Sequence, residues 1–306
     1  MEERHDFESF YNTKLKHALS YLKLQSSEAF GWRIAGLLFL MFGIMCFLLS
    51  QIIVGILLFC FVIISVYKYI KKKKLFIANF KEVVTREIIK YLEPGLVYMP
   101  NEYISPVDYE KSSLFRRFYD YYKGCDLISG NYNNVKFYCS ELETGDEKSL
   151  EENKSAIIFR GLFFAIPLKI YSPGDVYIWP KGEEQLTKNF MDEYYRLFPL
   201  PEVYFVNLND SVFESIFSVY STNPSDIVSL IDQKLKECLI NLKEHTGNEI
   251  RFSFVRGICY LSILMNKERV RSSLSNTENI EIVKEYYFTV QLILKVIDQL
   301  NLKRFT

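Results

Sequence analysis

The chain is poor in the residues that usually carry chemistry. Only three of its 306 residues are histidine, His5, His17 and His245, and none has a carboxylate or cysteine at a recognised ligand spacing. That removes the ordinary sequence signature of a metal centre, and no cofactor motif replaces it. No G-x-S-x-G, P-loop or G-x-G-x-x-G sequence occurs, so serine hydrolysis, nucleotide-dependent and dinucleotide-dependent chemistry lack their minimum signal. An excess of one charge is missing too. Lysine plus arginine equals aspartate plus glutamate at 37 each, which argues against nucleic acid as a partner. Six cysteines are present without a C-x-x-C pair. Cys46 and Cys60 fall in an apolar block, and the scatter of Cys125, Cys139, Cys238 and Cys259 reads as buried thiols in a reducing compartment. Low glycine (13 residues) with 16% aromatics argues against a disordered chain.

One long stretch lacks charge altogether. From Ile34 to Tyr67 the only polar side chains are Ser50, Gln51 and Ser65, and Lys68 and Lys71-Lys72-Lys73-Lys74 follow at once. As a single helix the block would be about 51 Å long at about 1.5 Å per residue, against a hydrocarbon core of roughly 30 Å. Two short transmembrane spans, Ile34–Leu49 and Ile52–Tyr67, fit better, with the break at Ser50-Gln51 and with Arg33 and Lys68 snorkelling to lengthen them. Lys14, Lys16, Lys23 and Arg33 precede the first span, and the lysine run follows the second, while the connecting turn is uncharged. The positive-inside rule then puts both termini in the cytoplasm of a multi-pass protein of the inner (plasma) membrane. A cleaved signal peptide is the competing reading, but its apolar region would be shorter and nearer the N-terminus.

Around this hairpin the periodicity divides the chain into residues 1–30, an amphipathic cytoplasmic helix; 31–70, the hairpin; 71–124, a basic juxtamembrane segment and helix; and 125–306, a cytoplasmic domain. Phe7, Tyr11, Leu15, Ala18 and Leu22 make one helical stripe, which either lies on the bilayer or packs on a neighbour. Phe76, Phe80, Val83, Val84, Ile88 and Tyr91 continue the second span as helix until Pro94-Gly95. From about Asp126 the period becomes two. Strands are expected at 134–141, 155–165, 176–179, 202–206 and Phe213–Tyr220, with a hairpin turn within Gly130–Asn134 and a charged loop from Glu143 to Lys154. A helix from near Pro224 to His245 precedes strands Glu249–Val255 and Ile258–Leu264. The last helix, near Asn279–Leu302, carries Val283, Tyr286, Val290, Ile293, Ile297 and Leu300 as either a core face or a coiled-coil seam. The fold class is therefore α+β: an N-terminal transmembrane helical hairpin followed by an antiparallel sheet with packed helices.

Several phrases resemble a family. Leu114-Phe115 with the tyrosine-rich stretch after it, Asp126-Leu-Ile-Ser-Gly130, Phe137-Tyr-Cys-Ser-Glu-Leu142, Gly161-Leu-Phe-Phe-Ala165, Phe217-Ser-Val-Tyr-Ser221 and Val283-Lys-Glu-Tyr-Tyr287 with Gln291-Leu292 are similar to successive landmarks of Domain of Unknown Function 3137, a bacterial family of uncharacterised membrane proteins. The resemblance spans roughly residues 75–302. Where the family carries an acidic-alanine-arginine stretch, this chain reads Thr222-Asn-Pro-Ser-Asp-Ile-Val228. The resemblance implies a membrane-linked fold and supplies no reaction, cofactor or catalytic residue.

Three groups remain as candidates. Glu141 and Glu143 share a strand face and are either a carboxylate pair for acid–base work or solvated charges. Arg116-Arg117 either binds a lipid phosphate or forms surface ion pairs. Arg33, Lys68, Lys71, Lys72, Lys73 and Lys74 set the topology and contact the membrane surface, and recognition of an anionic lipid by Lys71–Lys74 is a further claim beyond that. The resulting expectation is a non-enzymatic, membrane-anchored interaction or scaffold protein whose partners are the lipid bilayer and another protein. The alternative is an enzyme acting at the cytoplasmic membrane surface.

Overall fold

The computed structural model describes residues 7–146, 157–168, 174–182, 202–227, 230–265 and 280–300. The chain forms two compact units, Met1–Leu92 with Val270–Thr289, and Glu93–Arg269 with Val290–Thr306.

The first unit is helical. A π-helical turn, Tyr11–Leu15, runs without a break into α1 (Lys16–Leu48), and α2 (Ile52–Leu92) returns alongside it. The two part at Ser50, whose left-handed φ of 60° ends α1 beside the expected Ser50-Gln51 break. Small residues let the helices approach closely: a Cβ on Gly36 would lie 3.4 Å from that of Ser65, and one on Gly43 would touch Phe59 and Leu58. Phe39 stacks on Phe61 at 5.5 Å and Phe47 meets Phe59 edge-on at 5.7 Å. Ser65, buried between the helices, donates its hydroxyl to the Phe61 carbonyl at 2.8 Å. Before α1, Phe7 and Phe10 are fully buried. Phe10 lies 4.9 Å from Tyr91, and Phe7 and Phe10 both contact Tyr287, at 5.3 and 5.6 Å. The N-terminal stripe is thus a packing face, and its helix is the first part of α1 rather than a separate element.

The second unit is a single sheet. Among the described residues it has nine strands: β1 (Val97–Met99), β2 (Tyr121–Tyr132), β3 (Val135–Gly145), β4 (Ile157–Pro167), β5 (Val176–Pro180), β6 (Tyr204–Phe205), β7 (Phe217–Ser221), β8 (Ile250–Val255) and β9 (Ile258–Leu264). Their order is β1-β2-β3-β4-β9-β8-β5-β7-β6, and every pairing is antiparallel. Two-residue turns with both central φ positive, Asn133-Asn134 and Arg256-Gly257, close the β2–β3 and β8–β9 hairpins. Central strands such as β4 and β9 are buried on both faces, which explains their continuous apolar runs. On one face lies α3 (Pro106–Ser112), capped by Ser105, whose Tyr109 is ringed by Phe115, Tyr122 and Phe163 at 5.4–5.5 Å and hydrogen-bonded to Thr144 at 2.9 Å. Ser253 of β8 donates to the Ser112 carbonyl at 2.7 Å, fixing α3 to the sheet. On the other face lies α5 (Gln233–Thr246), capped by Asp232 and stopped by left-handed Gly247, which contributes buried Leu235, Cys238, Leu239 and Leu242. Helix α6 (Ile280–Leu300) gives its first residues to the helical unit and the rest to this one, where Asp298 accepts hydrogen bonds from Tyr132 and Asn133.

Several local expectations change. Phe213–Tyr220 is not one strand: Asp210 accepts from the Phe213 N–H at 3.1 Å and caps a short helix, α4 (Ser211–Ile216), before β7 begins. The cap overrides a run whose composition favours a strand. Pro224–Asp226 is a single 3₁₀ turn, and α5 starts only at Gln233, where Asp232 supplies the cap that the Pro224 region lacks. The loop expected from Glu143 is strand up to Gly145, and residues 147–156 lie outside the described ones. On α6 the buried set Val283, Val290, Ile293, Ile297 and Leu300 is joined by Ile282, Tyr287, Leu294 and Val296. That width exceeds a coiled-coil seam and marks a core helix.

Candidate functional site

The helical pair carries its charge at one end. Along α1 the residues Glu28, Gly31, Trp32 and Ala35 fall at i, i+3, i+4 and i+7, one face of the helix, and across from them α2 sets Tyr67, Lys68, Lys71 and Lys72. Together they line an open groove of about 660 Å³. Its space comes from two small residues: a Cβ built on Gly31 would meet nothing within 4 Å, and Ala35 lies one turn further on. The Lys68 ammonium sits 4.2 Å from the centre of the Trp32 ring, and Lys72 pairs with Glu28 at 2.6 Å. That ion pair is exposed, with side chains 45% and 59% accessible, so it is weak and easily exchanged for another anion. Three ammonium groups against one carboxylate leave the groove with net positive charge.

The lysine run is thus divided by helical phase. Lys68, Lys71 and Lys72 line the groove; Lys73 leans toward the Tyr69 ring at 5.8 Å, Lys74 is exposed, and Arg33 is exposed next to Trp32 without lining the groove. Glu28, Trp32 and Tyr67 complete the site, though Glu28 and Trp32 are distant in sequence from the lysines. Their i, i+4 spacing and the small residue between them were the available signal.

Beyond the groove, the helical pair exposes apolar side chains on its remaining surface, including Leu37 at 55%, Met41 at 67%, Ile53 at 77% and Ile63 at 69%. Two helical segments, Ser27–Leu48 and Ile52–Leu92, are long and apolar enough to cross a membrane. Only 6% and 11% of their most apolar windows are buried, unlike the core helices of a soluble domain.

The other candidates resolve differently. Arg116 is not a surface group: it is 7% exposed and packs on aromatics, with its guanidinium 4.8 Å from the Trp179 ring and 5.2 Å from Tyr177. Arg117 beside it is exposed. Glu143 pairs with Arg160 across β3–β4 at 2.7 Å. Glu141 faces Cys125 and Asp126, and the three potential ligand atoms lie within 4.8 Å of one another at the bulge in β2. The Cys125 thiol lies 3.1 Å from the Asp126 carboxylate and 3.9 Å from that of Glu141, and the Tyr98 hydroxyl donates to Asp126 Oδ1 at 2.6 Å. His245 places Nδ1 2.8 Å from the Asn241 carbonyl at the end of α5, a structural position. His5 and the side chain of His17 lie outside the described residues. All six cysteines are free. Burial pushes the Cys139 and Cys259 thiols well above their ordinary pKa and Cys238 up to about 12, so none of these three is an activated nucleophile.

No curated protein matches the chain. Among solved structures, the mycobacterial trehalose monomycolate transport factor A, TtfA, is similar at 10% identity over 68% of this chain and 95% of that one, with a TM-score of 0.33, a likeness too slight to carry an argument. The match that carries weight is to a family model, over residues 157–302, from β4 through α6. Over that segment the chain matches the family described as "Protein of unknown function (DUF3137)".

Proposed function

We propose that the chain is a non-enzymatic membrane-anchored interaction protein: α1 and α2 form a two-span hairpin, both termini are cytoplasmic, and the sheet unit meets a protein or lipid partner at the inner membrane surface. The observation that carries this reading is the ordering of side chains along the helical pair. Exposed apolar residues cover it from Ile34 to the turn and back to Ile70. Trp32, Arg33, Tyr67, Lys68, Tyr69 and Lys71–Lys74 then gather at one end, while Leu49-Ser50-Gln51 at the other end has no charge. Aromatic and cationic residues collect at a headgroup boundary, and cations stay on the cytoplasmic side. At about 1.5 Å per residue α2 is about 61 Å long, roughly twice a hydrocarbon core, so its latter half projects beyond the bilayer. Apolar surface of this extent is stable in hydrocarbon and aggregates in water.

The test is fractionation with topology mapping. The full chain is expected to stay in the membrane pellet after alkaline carbonate extraction, and reporters active only inside the cell are expected to work at both residue 1 and residue 306. Release into the supernatant, or an external signal from either terminus, refutes the proposal.

A further inference from the structure

We infer that the groove between α1 and α2 is a binding site for the headgroup of an anionic phospholipid, with Lys68, Lys71 and Lys72 as its phosphate-facing cations. This rests on the membrane reading above and adds a ligand to it. Three features converge. Lys68, Lys71 and Lys72 stand at i, i+3 and i+4 and line the same groove, so their ammonium groups can meet one phosphate. Gly31 and Ala35 leave room beneath them, with nothing within 4 Å of a Cβ on Gly31. One turn toward the helix-helix connection, the neighbouring surface turns apolar, with Leu38 49%, Ile63 69% and Ile64 46% exposed. A ligand matching this sequence of environments is anionic at one end and hydrocarbon at the other, which selects a lipid over a free phosphate ion.

Glu28 sets the selectivity. It neutralises one of the three lysines, through the 2.6 Å pair with Lys72, and leaves a net positive groove that prefers an anionic headgroup to a zwitterionic one. A bound phosphate takes over Lys72, while Trp32, already under Lys68 at 4.2 Å, sits at the depth of the glycerol backbone.

The groove predicts more than a polybasic surface does, because it distinguishes lysines of equal charge. The full chain is purified in non-ionic micelles doped with phosphatidylglycerol or phosphatidylcholine, and bound lipid is counted by native mass spectrometry. Phosphatidylglycerol is expected to be retained preferentially. Each juxtamembrane lysine contributes about fivefold in affinity, so Lys71→Ala with Lys72→Ala is expected to weaken retention about 30-fold. Lys73→Ala with Lys74→Ala removes the same charge outside the groove and is expected to change it less than about threefold. Gly31→Leu keeps every lysine, improves helix propensity and fills the space, and is expected to abolish the preference. Glu28→Gln is expected to strengthen it.

Equal losses from the two lysine pairs, retention unaffected by Gly31→Leu, phosphatidylcholine held as tightly as phosphatidylglycerol, or complete displacement by inorganic phosphate each overturns the site. These failures are separable from failure of the anchor. A chain that remains in carbonate-washed membranes yet shows no lipid preference refutes only the headgroup site, whereas one released by carbonate refutes both.

Discussion

Replacing Gly161 by alanine tests the central pairing of the sheet. Gly161 opposes Leu264 in the β4–β9 ladder, and a Cβ at this position would lie 2.1 Å from the Ile263 carbonyl oxygen and 2.9 Å from the Met265 amide nitrogen. Both are backbone atoms, so no rotamer change relieves the contact; β9 itself must retreat by about 1 Å, since ordinary contacts of this kind exceed about 3 Å. The retreat strains the neighbouring hydrogen bond from the Met265 N–H to the Arg160 carbonyl, now 2.9 Å. Overpacking costs about 1–3 kcal/mol and the loss of one or two ladder hydrogen bonds about 1 kcal/mol each, giving roughly 2–5 kcal/mol in all. For a unit of this size that is a fall of about 4–20 °C in melting temperature. The chain has two tryptophans, Trp32 in the hairpin and Trp179 in β5, so Trp179 emission in a Trp32→Phe background reports the sheet. Gly31→Ala, where a Cβ meets nothing within 4 Å, is the control and is expected to leave that transition in place. A Gly161→Ala protein melting within about 1 °C of its parent refutes the register of β4 against β9.

Ile293, 2% exposed on α6, is expected to cost about 2–5 kcal/mol when cut to alanine, read as a lower denaturant midpoint; an unchanged midpoint with loss of a dimer would instead establish a coiled-coil seam. Cys139, Cys238 and Cys259, held protonated by burial, are expected to resist iodoacetamide at pH 8 in native protein and to react on unfolding, and mass mapping that finds them alkylated at the unfolded rate refutes their placement. The Phe213 backbone N–H, followed by Lys236, holds the Asp210 carboxyl below its usual range, so its contribution is full at neutral pH and is lost as pH falls through that lowered value. Asp210→Asn, which can still cap α4, is expected to flatten the acid limb of the stability profile; an identical limb refutes the role of the charge.

What can be read from sequence follows the strength of its physical signal. The break at Ser50-Gln51 and the continuation of the second helix past the lysines are plain, because polarity and helical period change there without competition. Strand β2 is not. Its residues are mostly half-buried on both faces, and a bulge between Cys125 and Ile128, with Asp126 at φ 61°, shifts its register, so no alternation survives to be seen. The amphipathic stripe of the N-terminal helix fades at the polar stretch after Leu24, although no glycine or proline intervenes before Gly31 to end the helix itself. The lysine run is visible as charge, but its division into groove-lining and outward members depends on helical phase relative to a second helix. Glu28 and Trp32 belong to α1, some forty residues before the lysines of α2, and nothing in local spacing ties them to Lys68 or Lys72.

The sheet order has a consequence for synthesis. Strands β1 to β4 are consecutive neighbours and can pair as each emerges, but β4 receives its other partner, β9, only when Leu264 has been made. Until then Phe159, Phe163 and Phe164 stand on an open edge, a template for pairing with another nascent chain. β5 waits similarly, since it joins the sheet through β8. A ribosome stalled before residue 264 therefore holds a four-stranded meander with one edge of its most apolar strand unpaired. Release at that point favours aggregation, and the delay makes folding of this unit dependent on whatever shields β4 during the interval.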